Sequence, residues 1–335
     1  MIKITVDVGT TNSRIRVLED DNVISVAKSK IGIKDVAVSG SKAILEENLN
    51  KIIKEGLKKA DKSLKDVEYI VASGMITSNL GLVEIPHKMT PASLADLSNL
   101  MKCEHFPWLD EVPFYFIPGI KNNVANPSIE NINQIDVMRG EEVETFGIMK
   151  LCKVMGPALM VLPGSHTKFV YINEHNEVEG CSTTMLGEFL HALSTSTILS
   201  NSITQDLITE IDETYIMNGI EFEKENGVTK SAFAVRLMDI ALETTPNQRA
   251  NFLAGALISN DISPVIARNI EAKYHNIYIG GSSPLKDIFD IVLRYKQIPN
   301  AIITLLSDEI SNNAASVGAL LIAEHYRSAN GLAIS

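Results

Sequence analysis

The chain predicts an α/β protein of two related domains, and three observations carry that prediction. An apolar strand, a tight turn of glycine and hydroxyls, and a second strand occur twice, at residues 2–6, 7–13 and 15–17 and again at 158–162, 163–168 and 169–172. Strand patterns alternate with helical ones along most of the chain. At 335 residues the chain is too long for one ordinary core. The simplest architecture is two α/β domains facing across a cleft, one formed by 1–150 plus about 308–335 and the other by 151–307.

Taken in order, Ile2, Ile4 and Val6, then Ile15 and Val17, alternate with the period of a strand. Over 42–59, Leu45, Leu49, Ile52, Ile53 and Leu57 fall at helical spacing, while Lys51, Lys54, Lys58 and Lys59 lie mostly on other faces, as on a solvated helix surface. Residues 67–72 read as a buried strand that ends in Ser73-Gly74-Met75. Residues 84–135 are dense in proline and asparagine and hold one clear strand, 114–117. Acidic residues over 136–142 precede Val143, Phe146 and Met149, which suits a helix N-terminus. Beyond the second hairpin, helices are predicted at 186–200, 205–216, 231–243, 247–259 and 261–273. Strands follow at 276–279 and 301–304, with a helical pattern at Leu285, Ile288, Phe289 and Val292 between them. In the last helix, about 309–327, the run Ala314-Ala315-Ser316-Val317-Gly318-Ala319 permits helix backbones to pack closely.

Hydrophobic residues at 45% and charged residues at 21% suit a soluble globular protein. The net charge of −11 argues against a nucleic-acid partner, whose phosphates need lysine and arginine, but leaves room for a local nucleotide site. Cys103, Cys152 and Cys181 are odd in number and far apart, which suits structural thiols in a reduced compartment. The histidines show no HxxxH or HExxH spacing, so no transition-metal site is expected. No signal peptide pattern and no apolar run of about 18 residues is visible, so a cytoplasmic protein without a membrane partner is expected. A homodimer is admissible, since nothing in the sequence reports an oligomeric state.

Glycine turns with free N–H groups and hydroxyls can hold phosphate oxygens. Gly9, Thr10, Thr11 and Asn12 form one such turn, and Gly164, Ser165, His166, Thr167 and Lys168 another, so a nucleoside triphosphate between two similar halves is expected. Asp7, at the end of the first strand, is the candidate Mg²⁺ ligand, because hard cations prefer carboxylate oxygen. Gly280, Gly281 and Ser282 join a strand to a helix, where a nucleotide can lie against bare backbone; a helix-capping turn with Ser as N-cap explains the same residues equally well. Neither GxxxxGK[ST] nor GxGxxG occurs, which removes the P-loop and dinucleotide readings. Arg139-Gly140-Glu141-Glu142 is the densest charged cluster at a loop-to-helix junction. A carboxylate there could accept a proton from an attacking hydroxyl, a role that contributes about 10²–10⁴-fold in rate, and Arg139 could grip a carboxylate with two N–H groups.

Together these motifs resemble the acetate and sugar kinase, Hsp70 and actin superfamily. The resemblance implies two RNase H-like domains of the actin-like ATPase kind, with phosphate motifs at Asp7 to Ser13 and Pro163 to Lys168 and an adenosine motif at Gly280 to Ser283. The chain is most similar to the 2-dehydro-3-deoxygalactonokinase family. Four stretches carry that likeness: Ser73-Gly74-Met75-Ile76-Thr77-Ser78-Asn79 with Gly81, Glu84 and Pro86; Val137-Met138-Arg139-Gly140-Glu141-Glu142; Leu162 to Val170; and Thr184-Met185-Leu186-Gly187-Glu188. Phe169, Leu82, His87 and Leu186 depart from the family pattern, which usually has Trp at or near the first two, Tyr at the third and Thr at the fourth.

What the resemblance implies is an ATP-dependent kinase that phosphorylates the 6-hydroxyl of 2-dehydro-3-deoxy-D-galactonate. It makes Glu141 the first candidate for the base, with Glu142 and Asp136 as rivals. Arg139 would hold the substrate carboxylate, with Gly74, Met75, Ser78 and Glu188 as further residues of the sugar site. Another keto-deoxy acid as substrate, or an ATP-binding protein that phosphorylates no sugar, are the alternatives.

Overall fold

A computed structural model of the chain describes residues 1–204, 207–267 and 273–332. It divides into two compact units, one of Met1–Val154, Glu177–Gly180 and Asn313–Ser335, the other of Met155–Asn176 and Cys181–Asn312. No helix among the described residues is long and apolar enough to cross a membrane.

The first unit is built on strands β1 (Ile2–Val8), β2 (Ser13–Glu19), β3 (Asn22–Ser29), β4 (Val67–Gly74), β5 (Lys88–Met89), β6 (Lys102–Glu104), β7 (Phe114–Phe116), β8 (Ile120–Lys121) and β9 (Val137–Met138). Its helices are α1 (Ile33–Ser39), α2 (Ala43–Lys59), α3 (Leu94–Leu100) and α4 (Glu141–Cys152). Six strands form one sheet in the order β3-β2-β1-β4-β7-β6, and β5, β8 and β9 form a small second one. The hairpin β1–β2 is antiparallel and β4 lies parallel to β1 on its other side. Ile4, Val6, Val8, Ile15 and Val17 pack with Leu45, Leu49, Ile52 and Ile53 of α2 into one core, so the predicted helical stripe is the face that meets the sheet. Ser93 caps α3 by accepting from the Asp96 N–H, and Asp96 bonds back to the Ser93 N–H. That S-x-x-D signal stands inside a stretch whose composition reads as loop.

The second unit holds β10 (Ala158–Leu162), β11 (Thr167–Ile172), most of β12 (Val178–Thr184), β13 (Asn276–Ile279) and β14 (Ile302–Leu305), in the sheet order β12-β11-β10-β13-β14. Its helices are α5 (Leu186–Ser196), α6 (Glu213–Asn226), α7 (Val228–Ala241), α8 (Pro246–Val265) and α9 (Leu285–Tyr295). As in the first sheet, an antiparallel hairpin, β10–β11, has a parallel strand, β13, on its far side. The last helix, α10 (Asp308–Ala329), crosses into the first unit. There its small residues have a clear use: a Cβ on Gly318 would lie 1.8 Å from the Val143 carbonyl oxygen, and one on Gly147 of α4 would lie 1.8 Å from that of Ala314. Only glycine lets these two helices meet backbone to backbone.

Two helix predictions need correction. The helix predicted at 205–216 starts later, at Glu213. Gln205 and Asp206 lie outside the described residues. The backbone N–H groups of Thr209 and Glu210 donate instead to the Asn247 side chain and that of Asp212 to the Asn251 side chain, and Asp212 then caps α6. The helices predicted at 247–259 and 261–273 are one as far as Val265. The polar pair Asn260-Asp261 does not break it, because Ile258, Ile262 and Val265 keep one face buried. Arg268 to Ala272 lie outside the described residues.

Candidate active site

In the first unit, the turn between β1 and β2 is closed by the Gly9 N–H donating to the Asn12 carbonyl at 2.9 Å, and it leaves Thr10, Thr11 and Asn12 exposed. Asp7 sits just before it. Burial pushes the Asp7 carboxyl above the ordinary carboxylate range; the positive charges of Arg14 and Arg16 oppose this, and the charge of Glu141 reinforces it. Two glycines let the distant motifs approach. Gly74 has φ +85, and a Cβ there would lie 2.6 Å from the Val8 carbonyl oxygen and 3.2 Å from Asp7 Oδ1. Gly140 has φ +123 and would place a Cβ 3.5 Å from the Gly74 Cα. Both are left-handed conformations that glycine adopts without strain. They bring the start of α4 against the end of β1.

The three acidic candidates separate clearly. Glu141 is half-buried, accepts the Arg139 N–H at 3.2 Å and acts electrostatically on Asp7. Glu142 is fully buried; its Oε2 accepts the Gly140 N–H at 2.7 Å and its Oε1 has no partner among the described residues. Burial, and then the charge of Glu141, push the Glu142 carboxyl up to about 8. Asp136 belongs to the turn before β9, where its side chain accepts the Val137 N–H and its carbonyl that of Asn122.

The guanidinium of Arg139 faces the segment that follows β4. Nη1 donates to the carbonyl of Thr77 at 2.8 Å and to its hydroxyl, and Nη2 meets the Ile85 carbonyl at 3.2 Å and the His87 ring at 3.1 Å. Burial and the Arg139 charge hold the His87 imidazole down at about 4. Arg139 therefore fastens the segment carrying Gly74, Met75 and Ser78, where the Ser78 hydroxyl donates to the Met75 carbonyl at 2.7 Å.

In the second unit, Ser165 and His166 stand exposed at the hairpin tip, while Thr167 and Lys168 are buried. Lys168 Nζ donates to the Thr183 hydroxyl at 2.6 Å, and the Thr167 hydroxyl has no partner among the described residues. The tip rests on the start of α5: the Glu188 N–H donates to the Ser165 carbonyl at 3.0 Å, and His166 Nε2 lies 3.3 Å from Glu188 Oε1. A Cβ on Gly187 would lie 2.2 Å from the Gly164 carbonyl oxygen. From the other side, the Gly280 N–H donates to the Val161 carbonyl, and Gly281, at φ +81, leaves only 2.8 Å between its Cβ position and the Pro163 carbonyl oxygen. Thus Gly164 to Lys168, Glu188 and Gly280-Gly281 form one cluster. The helix after it is capped at Pro284 without a side-chain bond, so Ser282 does not serve as its N-cap. Arg14, opposite Asp7 in the β1–β2 register, is the charged residue of the region that motif reading passes over.

Two sheets, each with a glycine hairpin flanked by a parallel strand, define the two-domain fold of actin-like ATPases and sugar kinases. The structure is similar to that of a candidate 2-dehydro-3-deoxygalactonokinase from Sinorhizobium meliloti, with a TM-score of 0.72, 22% identity and coverage of 98% of this chain and 99% of that one. It also matches component A of the (R)-2-hydroxyglutaryl-CoA dehydratase of Acidaminococcus fermentans, at a TM-score of 0.51 and 11% identity over 98% of this chain and 99% of that one. The model of the 2-keto-3-deoxy-galactonokinase family matches residues 7–313, and the chain belongs to that family. It is therefore a sugar-acid kinase, a phosphotransferase with an alcohol group as acceptor. Relatives include a probable 2-dehydro-3-deoxygalactonokinase of Rhizobium meliloti (strain 1021), 27% identical over 78% of this chain and 79% of that protein. Another is the 2-dehydro-3-deoxygalactonokinase of Escherichia coli (strain K12), 23% identical over 88% of each.

Proposed function

We propose that the protein transfers the γ-phosphoryl group of ATP to the 6-hydroxyl of 2-dehydro-3-deoxy-D-galactonate, with Mg²⁺. One observation carries the reading for this chain: Glu141, at the head of α4, is held within electrostatic reach of Asp7 at the phosphate turn. A proton acceptor and a metal-holding carboxylate thus belong to one cluster. Magnesium fits this donor set in one way only. The described residues contain no group of three or more acidic, histidine or cysteine ligands, whereas Mg²⁺ is commonly held by one or two carboxylates together with substrate phosphates and water. Asp7 would hold it in that manner, and the ion would supply charge neutralisation at the phosphates.

Glu141 would take the proton of the attacking hydroxyl. Gly9, Thr10, Thr11 and Asn12, and in the second unit Gly164 and Ser165, would donate backbone and hydroxyl hydrogen bonds to phosphate oxygens, and Gly280, Gly281 and Ser282 would offer bare backbone to adenosine. Buried Thr167 and Lys168 would brace their hairpin, and His166 would orient Glu188. The fork of Arg139 is taken up by main-chain carbonyls, so its part would be to shape the sugar site around Met75 and Ser78. Phosphoryl transfer gains chiefly from such positioning and charge neutralisation.

ADP release measured with a panel of 2-keto-3-deoxy acids tests the reading. Release that depends on 2-dehydro-3-deoxy-D-galactonate is expected; slow hydrolysis indifferent to every acid would refute it.

A further inference from the structure

We propose that the outer face of α7 is the surface through which two copies of this chain pair, antiparallel across a two-fold axis. The inference goes beyond the kinase reading and does not depend on it. On its inner side α7 buries Ser231, Ala234, Val235 and Met238, and the last three join the core of the second unit. Its opposite side carries Phe233, Leu237 and Ile240, which are 48%, 41% and 67% exposed. Residues at such spacing are neighbours on a helix surface and form one stripe along it. A helix that is apolar on both sides is normally covered on both.

The surroundings widen the stripe. Leu242, just past the end of the helix, is exposed, and the turn Ile198–Asn201 packs beside α7 and exposes Ile198. Charges on this flank are satisfied within the chain: Arg236 Nη1 lies 2.8 Å from Asp239 Oδ2, which also accepts the Ser202 hydroxyl. A partner can therefore cover the stripe without burying an unpaired charge. Contiguous apolar patches with a polar rim mark protein interfaces.

The stripe is its own complement, which points to a second copy as the occupant. Phe233 and Ile240 lie equally many residues to either side of the point between Arg236 and Leu237, and so, further out, do Lys230 and Glu243. A second copy turned end for end sets Phe233 on Ile240 and Lys230 beside Glu243, each twice over, as a two-fold contact requires. Both end charges are exposed and available. Glu243 has no hydrogen bond or ion pair among the described residues, and Lys230 only lies over the Phe233 ring, at 6.0 Å from its centre. A parallel arrangement would instead set like charges against each other at both ends. An anionic lipid surface fits less well, because it repels a chain of net charge −11.

Sedimentation velocity of the full chain across the micromolar range tests this. Wild type should sediment as two chains. Leu237→Glu sets two carboxylates at the centre of the contact and should raise the dissociation constant about 10³-fold, with an unchanged circular dichroism spectrum to show that α7 still folds. Lys230→Glu or Glu243→Lys alone should weaken pairing about ten-fold, and the two changes together should restore it. Three results would each overturn the proposal: a wild type that stays a single chain, an unchanged dissociation constant in Leu237→Glu, or a double variant that pairs no better than either single one. The first leaves no second copy, the second places the contact elsewhere, and the third rules out the antiparallel arrangement. A single-chain wild type that binds vesicles of phosphatidylserine and phosphatidylcholine, and loses that binding in Leu237→Glu, would assign the stripe to a lipid surface instead.

Discussion

At Glu142 a carboxyl group is buried with one oxygen bonded and the other bare. Burial lifts it from its ordinary 4.5 to about 8, so the folded protein keeps a proton there that the unfolded chain releases. The sign follows: its contribution to stability is full below 4.5 and is lost as pH rises toward 8. Urea midpoints measured across that range should decline in wild type more steeply than in Glu142→Gln; parallel curves would show that Glu142 does not titrate in this way. Glu141, half-exposed, has a different part to test. Glu141→Gln should abolish transfer while leaving ATP binding nearly intact, and wild-type turnover in that variant would reject it as the base. Motif reading ranks Glu141 ahead of Glu142 and Asp136 only through the family resemblance, and local sequence gives no physical ground for that order. Their difference lies in burial and in which N–H each one meets, and neither is a property of local sequence.

At the level of elements, the crossing of α4 and α10 is the most exacting contact. A methyl on Gly318 has 1.8 Å where van der Waals contact needs about twice that, so the helices must separate. Gly318→Ala should cost about 1–3 kcal/mol in urea unfolding; a change within a few tenths would mean that the helices part freely. This helix was legible in advance, because its small residues form one continuous run. The start of α6 was not. The groups that hold residues 209–212 out of a helix are Asn247 and Asn251, nearly 40 positions away in the chain. Asn251→Ala removes bonds to the Asp212 N–H and the Glu210 carbonyl and should cost about 1–3 kcal/mol, since both groups are then left to find other partners.

For the whole molecule, ordering the chain into two sheets with matching hairpins follows from features that recur at the scale of a few residues. Each hairpin is an apolar strand, a glycine turn and a second strand, and each is flanked by a parallel strand only the fold can supply. At this scale the prediction is kinetic: phosphorylation of the sugar acid should saturate with both ATP and the acid, whereas ADP release independent of the acid would point away from the family's reaction.

Sequence alone determined the α/β class, the paired hairpins, most of the helical stripes and the family, since each depends on short-range periodicity or on motifs of a few residues. Tertiary structure decided which carboxylate stands by Asp7, that Arg139 turns toward the distant segment of Thr77 to His87, and that Lys168 lies within its sheet. Those outcomes depend on burial and on contacts between segments as far apart as Asp7, Gly74 and Gly140. A linear pattern holds the donors and acceptors, but only the packed backbone determines which of them meet.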